Sequence, residues 1–146
     1  MASVSTSIDI GTAPDRVWDL VIDLDRLGEW VTIHRELRGP SPASIEEGTT
    51  FSQRLEVAGT PFDVDWTATA VDAPQRLVWE GAGPAGSRAR TSYALDAHAG
   101  GTRFTYENEF ALPGGAVGDA AGSVVASRAG KEADASLQRL KQLAEA

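Results

Sequence analysis

Residues 87–110 read SRARTSYALDAHAGGTRFTYENEF, two segments in which apolar and polar residues alternate. A period of two is typical of a half-buried β-strand. The separator Ala-His-Ala-Gly-Gly is far shorter than the dozen or more residues that a parallel crossover needs. The stretch therefore predicts an antiparallel hairpin with one inward face, formed by Ser87–Asp96 and Thr102–Phe110.

The same alternation extends towards the N-terminus. Three further alternating segments are joined by short separators: Thr49–Val57, Phe62–Val71 and Arg76–Gly81. Val4–Ile10 has the pattern of another half-buried strand. Arg35–Gly48 is less regular, and its prolines at positions 40 and 42 indicate an edge strand or a loop. We therefore expect an antiparallel sheet built from hairpins.

Helices are predicted near both ends of the chain. After the first strand, Thr12 is expected to cap a helix that has Pro14 in its first turn. A second short helical stretch, Asp25–Trp30, follows. Val117–Ala146 is rich in Ala, Leu, Lys and Glu and lacks proline, so it predicts one long C-terminal helix.

The charges support one register of the strands. Four pairs of opposite charge meet on the outer face if the hairpins are tight: Glu80 with Arg88, Arg90 with Glu109, Asp96 with Arg103, and Arg54 with Asp65. Each pair contributes at most about 1 kcal/mol, but a slip of one residue would bury them all. In this register Glu56 lies opposite Asp63, so two negative charges face each other. The same register assigns Ala70 to the inner face.

The inner face combines large aromatic side chains with amide and hydroxyl groups. Its principal members are Gln53, Trp66, Trp79, Thr91, Tyr93, Phe104, Tyr106 and Asn108. A buried polar group without a partner costs about 1–3 kcal/mol, so we expect a wetted cavity. Mutual hydrogen bonding in a dry core is the alternative. Gly122 and Ala126 on the helix leave room for a ligand, unless they serve close helix-on-sheet packing instead.

Composition narrows the classes of function. The 146 residues are expected to form one domain, 1–146, and the net charge of −8 argues against binding nucleic acid or anionic lipid surfaces. The chain has no cysteine and two histidines, so neither a metal nor another cofactor is predicted. With no signal-peptide pattern and no apolar run of membrane-spanning length, a cytoplasmic protein without membrane insertion is expected.

Two motifs that invite other functions are set aside. GAGPAG at 81–86 matches a dinucleotide-binding fingerprint, but a strand follows it where that motif requires a helix. The acidic pairs Asp63/Asp65 and Glu107/Glu109 fall on the outer face, which argues against a two-carboxylate glycosidase.

Several stretches resemble the START-like helix-grip superfamily (SRPBCC), in particular its polyketide cyclase/dehydrase branch. They are APDRVWDL at 13–20 with the short helix ending at Trp30, WTATAV at 66–71, PQRLVW at 74–79, GGTRFTYE at 100–107, and LPG at 112–114 with SLQRLK at 136–141. The resemblance covers essentially the whole chain. It implies an α+β helix-grip fold: a curved seven-stranded antiparallel sheet around a long C-terminal helix, with two short helices after the first strand.

The resemblance also implies a deep apolar cavity between sheet and helix. The inward residues above, with Gly122 and Ala126, are then the expected ligand-binding residues, and Trp30 and His34 are expected near the mouth or floor. The partner would be a hydrophobic or aromatic small molecule of the lipid, polyketide or isoprenoid class, bound by a monomer or homodimer.

Three functions stay open from the sequence. The first is binding without chemistry. The second is a cyclase or dehydratase with Tyr106, Asn108 and His34 as candidate catalytic residues, His34 being the plausible base near neutral pH. The third is a protein-interaction module without a ligand, which predicts a small or closed cavity.

Overall fold

The computed structural model describes residues 2–57, 59–111 and 118–146, and for 118–126 it describes the backbone. The strands there are β1 (Ala2–Ile10), β2 (His34–Leu37), β3 (Thr50–Val57), β4 (Thr60–Asp72), β5 (Arg76–Ala82), β6 (Arg88–His98) and β7 (Gly101–Ala111). The α-helices are α1 (Pro14–Val21) and α2 (Gly118–Glu145), and the short 3₁₀ helices are Leu24–Glu29 and Pro84–Gly86.

All seven strands form one antiparallel sheet in the order β1-β7-β6-β5-β4-β3-β2. The irregular segment after Trp30 contributes β2, which is the edge strand beside β3. The predicted fold is thereby confirmed. The sheet curls around α2, whose Leu137 and Leu140 are fully buried in the core. No described helix is both long and apolar enough to cross a membrane.

The strand register confirms two of the four predicted charge pairs. Arg90 faces Glu109 and Asp96 faces Arg103, as expected. Glu80 faces Arg90 rather than Arg88, because the β5–β6 connection is widened by the 3₁₀ turn Pro84–Gly86.

The β3–β4 hairpin is tighter than the sequence suggested. It closes at the pair Val57 and Thr60, so Arg54 faces Asp63 instead of Asp65, with Nε 2.9 Å from Oδ1. Glu56 consequently does not face Asp63, and its carboxylate binds Arg35 at 2.7 Å. A shift of two residues leaves every side chain on its predicted face.

A β-bulge between Ala68 and Ala70 corrects one inward assignment. Before the bulge, Ala68 pairs with Trp79, and after it Val71 pairs with Leu77, which is fully buried. The extra residue reverses the alternation, so Val71 packs against the core in the place expected for Ala70.

Thr12 does not cap α1, and its side chain hydrogen-bonds to the end of α2 instead. The N-cap of α1 is Ala13, which makes no side-chain cap hydrogen bond, and Pro14 is the first helical residue. The Thr12 hydroxyl donates to the Ala144 carbonyl at 2.8 Å, and the backbone N–H of Gly11 donates to Glu145 at the same distance. These contacts hold the last turn of α2 against the end of β1.

Candidate functional site

A cavity of about 290 Å³ lies between the inner face of the sheet, the first 3₁₀ helix and α2. Eight of the predicted ligand-binding residues line it: Trp30, Gln53, Trp66, Trp79, Thr91, Tyr93, Tyr106 and Asn108. The period-two alternation places the seven strand residues on one face of the curved sheet, and Trp30 joins them from the end of the first 3₁₀ helix.

Aromatic rings form the wall over β3, β4 and β5. Phe51 stands edge-on to Trp79, with ring centroids 4.8 Å apart, and stacks beside Trp66 at 6.4 Å. The Trp66 ring lies directly over Gly81, where a Cβ would come within 2.7 Å of the indole. Glycine at position 81 therefore lets this indole lie against the sheet.

A second group of aromatic rings closes the end of the cavity next to the first 3₁₀ helix. Trp30 contacts Tyr93 at 6.0 Å and Phe104 at 6.4 Å between ring centroids. Phe104 was expected in the cavity wall but is fully buried behind Trp30 and Tyr93, whose rings both contact it. Trp30 lines the cavity, and its Nε1 is buried without a hydrogen-bond partner among the described residues.

A chain of three polar side chains runs from the cavity wall to the sheet edge. Trp66 Nε1 donates to Gln53 Oε1 at 2.9 Å, and Gln53 Nε2 lies 2.7 Å from His34 Nδ1. Gln53 and Trp66 are buried, and His34 is half-buried on β2. The Gln53 amide therefore hydrogen-bonds within the protein at both ends, rather than meeting a ligand as its primary partner.

His34 lies behind this wall and does not line the cavity. Burial lowers its pKa below the usual 6.5, and the positive charge of Arg35 adds to the effect. With Gln53 between its Nδ1 and the wall, His34 is poorly placed to take a proton from a molecule in the cavity. The structure thus places His34 close to the cavity but not among the described residues that line it.

Polar groups on β6 and β7 face the cavity directly. Thr91 Oγ1 donates to Asn108 Oδ1 at 3.1 Å, which turns the N–H groups of the Asn108 amide away from Thr91. Burial raises the pKa of Tyr106 to about 12, against an opposing effect of hydrogen bonding to Asn108 and Thr91. Burial, with the nearby Tyr106, also raises the pKa of Tyr93. Both phenols therefore remain protonated near neutral pH.

Sequence reasoning missed a polar cluster at the α2 side of the cavity. The Thr32 hydroxyl donates to the Glu132 carboxylate, and the Thr32 backbone N–H donates to Ser136 Oγ at 3.1 Å. All three residues line the cavity, as does Arg128 one turn before Glu132. The available signal was the spacing of 128, 132 and 136, which places these residues on one face of a helix.

The predicted contribution of Gly122 and Ala126 lies outside the side chains that the structure describes. From α2 the described lining residues are Arg128, Ala129, Glu132, Ala133, Ser136 and Leu137. Two of these are alanines, so part of the described helix face is low in bulk where it meets the cavity.

A curved antiparallel sheet that closes on a long helix around an aromatic cavity defines a helix-grip protein. The family model described as polyketide cyclase / dehydrase and lipid transport matches residues 1–145, and the chain belongs to this family. Among solved structures, the Zhui aromatase/cyclase from Streptomyces sp. R1128 superposes with a TM-score of 0.79 over 98% of this chain and 93% of that one. Its sequence identity is 13%, so this likeness shows the fold alone.

Two proteins of Mycobacterium tuberculosis (strain ATCC 25618 / H37Rv) are related in sequence. Toxin Rv0910 is 34% identical over 90 residues, which is 62% of this chain and 62% of the toxin, so the match spans less than two thirds of that relative. Uncharacterized protein Rv1546 is 29% identical over 143 residues, which is 98% of this chain and 99% of that protein.

Proposed function

We propose that the protein binds a neutral hydrophobic or aromatic small molecule, of the lipid, polyketide or isoprenoid class, in the cavity between sheet and α2. The observation that carries the proposal is the composition of the wall. Aromatic and aliphatic side chains supply most of it, while a few hydrogen-bond donors on β6 and β7 line the same cavity. Small-molecule sites have this form, because apolar area supplies affinity and a few placed polar groups set orientation.

The donors favour a ligand that carries an acceptor oxygen. Asn108 offers amide N–H groups, and Tyr93 and Tyr106 offer hydroxyl groups that stay protonated. A carbonyl or ether oxygen on a ring system can accept from these neutral donors. Among the described lining residues of β6 and β7 the one cation is Arg88, at the start of β6, while Arg35 and Arg128 line the cavity from β2 and α2. We therefore expect neutral oxygenated rings to bind more tightly than the parent hydrocarbons.

The test pairs a ketone with a hydrocarbon of the same skeleton. Binding of 9-fluorenone and of fluorene is measured by isothermal titration calorimetry on wild type and on Asn108→Leu. We expect wild type to prefer fluorenone by about 2- to 10-fold, the value of one net hydrogen bond, and Asn108→Leu to remove that preference. Native mass spectrometry of protein purified from its host then identifies any bound molecule. If neither probe binds and the purified protein is empty, the proposal is wrong.

A cyclase or dehydratase is the second candidate, and one observation favours it. The Glu132 carboxylate and the protonated Tyr106 phenol line the same cavity, so a general base and a general acid are both available. In this reading Glu132, rather than His34, takes the role of base, while Tyr106 and Asn108 hold the carbonyl oxygen. Loss of turnover in Glu132→Gln with fluorenone affinity unchanged would distinguish the enzyme from a carrier.

We further propose a cytoplasmic location, a monomer or homodimer, and no nucleic-acid or membrane-inserting partner. The acidic net charge of −8 supports the absence of a nucleic-acid partner, since phosphate-rich surfaces repel it. The interaction-module alternative predicts a small or closed cavity, and the apolar lining of a cavity of about 290 Å³ favours a ligand instead.

A further inference from the structure

The hydrogen-bond chain Trp66–Gln53–His34 has only one consistent arrangement of donors and acceptors. An indole N–H can only donate, so the Gln53 atom beside Trp66 must be the carbonyl oxygen, at 2.9 Å. The Gln53 atom beside His34 is then the amide nitrogen, which also can only donate. His34 Nδ1 must therefore be an unprotonated acceptor, and the neutral imidazole carries its proton on Nε2.

We propose that His34 is a proton-sensing positioning residue whose protonation releases the Trp66 wall of the cavity. A proton on Nδ1 would oppose the Gln53 N–H groups at the 2.7 Å separation that now joins the two side chains. Rotating the amide by half a turn gives His34 an acceptor, but it then presents N–H groups to the Trp66 indole. Protonation of His34 therefore breaks one of the two hydrogen bonds, whichever way the amide turns.

The Trp66 indole has little freedom to find another partner where it stands. Its ring lies over Gly81 on one side and stacks beside Phe51, and the residue is 7% exposed. A buried N–H without an acceptor is unfavourable, so loss of the Gln53 oxygen favours movement of the indole towards the cavity. The affinity part of the proposal rests on the proposed ligand-binding function, whereas the coupling between His34 and Trp66 does not.

The charged groups around His34 are engaged with one another. On β2, Arg35 binds Glu56 of β3 at 2.7 Å. On β3, Arg54 binds Asp63, and in the 3₁₀ helix next to His34, Arg26 binds Glu29 at 2.6 Å. On α2, the Glu132 carboxylate is held by Thr32. None of these contacts supplies a carboxylate to His34 Nδ1, so the Gln53 amide is its partner among the described residues.

Nuclear magnetic resonance tests the coupling without a ligand. Long-range ¹H–¹⁵N spectra report the tautomer of each histidine, and the indole N–H signals report the four tryptophans as pH falls from 8 to 5. We expect His34 to carry its proton on Nε2, and the Trp66 signal to shift with the midpoint of His34. His34→Asn, which keeps an acceptor near the Nδ1 position but does not titrate, should abolish that shift. His98→Asn, at the exposed second histidine, should leave it unchanged.

The affinity part is tested with the neutral fluorescent probe N-phenyl-1-naphthylamine. Its affinity for wild type and His98→Asn should fall by about 2- to 10-fold as His34 protonates, whereas His34→Asn should bind equally across the range. A proton on Nδ1 at neutral pH, or a Trp66 signal that ignores the His34 midpoint, overturns the coupling. If the Trp66 signal follows His34 but the affinity for the probe does not change with pH, the affinity part is wrong. Absence of probe binding at every pH instead contradicts the proposed function, and the spectra then decide the coupling alone.

Discussion

The Trp66 indole rests on Gly81 of the neighbouring strand, so closely that a Cβ at position 81 would stand 2.7 Å from the ring. The same Cβ would stand 2.8 Å from Val64, which leaves no side on which a methyl group fits without movement. Position 81 thus couples the backbone of β5 to the aromatic wall of the cavity.

Substituting Gly81 should therefore damage stability and binding together. Gly81→Ala forces the Trp66 ring away from the sheet, and overpacking of this kind costs about 1–3 kcal/mol. We expect a lower free energy of unfolding in urea and weaker binding of N-phenyl-1-naphthylamine, because the displaced indole enters the cavity.

The chain offers a matched control for that substitution. A Cβ at Gly130, in the middle of α2, would meet nothing within 4 Å. Gly130→Ala should stabilise the protein by up to about 1 kcal/mol through helix propensity. Equal stability of the two variants would contradict the close approach at position 81.

The Gln53 amide should contribute to stability through Trp66. Gln53→Leu leaves the buried indole N–H without its acceptor, at a cost of about 1–3 kcal/mol. In a Trp66→Phe background there is no N–H to leave unsatisfied, so the same substitution should cost less. Urea unfolding of the two single variants and the double variant measures this coupling, and strictly additive costs would argue against the hydrogen bond.

Strand faces were predictable because the alternation depends only on the local period of two. Trp66, Tyr93 and Asn108 were therefore placed on the cavity side before any partner strand was known. The partner of Arg54 was not predictable, since it depends on whether the following turn spans two residues or four. Nothing in the local sequence indicates the bulge that turns Val71, rather than Ala70, towards the core either.

The polar chemistry of the site was only partly accessible from the sequence. The link between His34 and Gln53 joins the edge strand to β3, and the irregular composition of 35–48 did not determine whether an edge strand existed. Phe104 was correctly placed inward, but alternation cannot show that Trp30 and Tyr93 cover it. Glu132 and Ser136 flank the apolar stripe of α2, and their contacts with Thr32 depend on how the helix docks.

His34 should make stability depend on pH in a window above that of the carboxylates. Its pKa is lowered in the folded protein, so below about pH 6.5 the unfolded chain binds the proton more readily than the folded one. Stability should therefore begin to fall as pH drops through the unfolded value, and the loss should be complete below the folded value.

Urea midpoints between pH 8 and 5 measure this dependence. His34→Asn should flatten the curve in that range. Four carboxylates should affect stability only at lower pH, because hydrogen bonds lower their pKa values. The pairs are Asp9 with Arg103, Glu29 with Arg26, Asp63 with Arg54, and Glu145 with the Gly11 backbone. A slope that persists in His34→Asn would assign the effect to another group.

The two tyrosines, the only ones in the chain, should both resist ionisation in the folded protein. Burial raises the pKa of Tyr106 to about 12 and raises that of Tyr93 as well, from an ordinary value of 10. Because the unfolded chain releases these protons first, their contribution to stability is present below pH 10 and declines as pH rises past it. Absorbance at 295 nm, followed together with circular dichroism, should show tyrosinate forming only near pH 12 or with unfolding. Tyr93→Phe leaves Tyr106 as the single tyrosine, so its ionisation can be followed alone. Ionisation of Tyr106 near pH 10 in the folded variant would show that this phenol is in water rather than in the cavity wall.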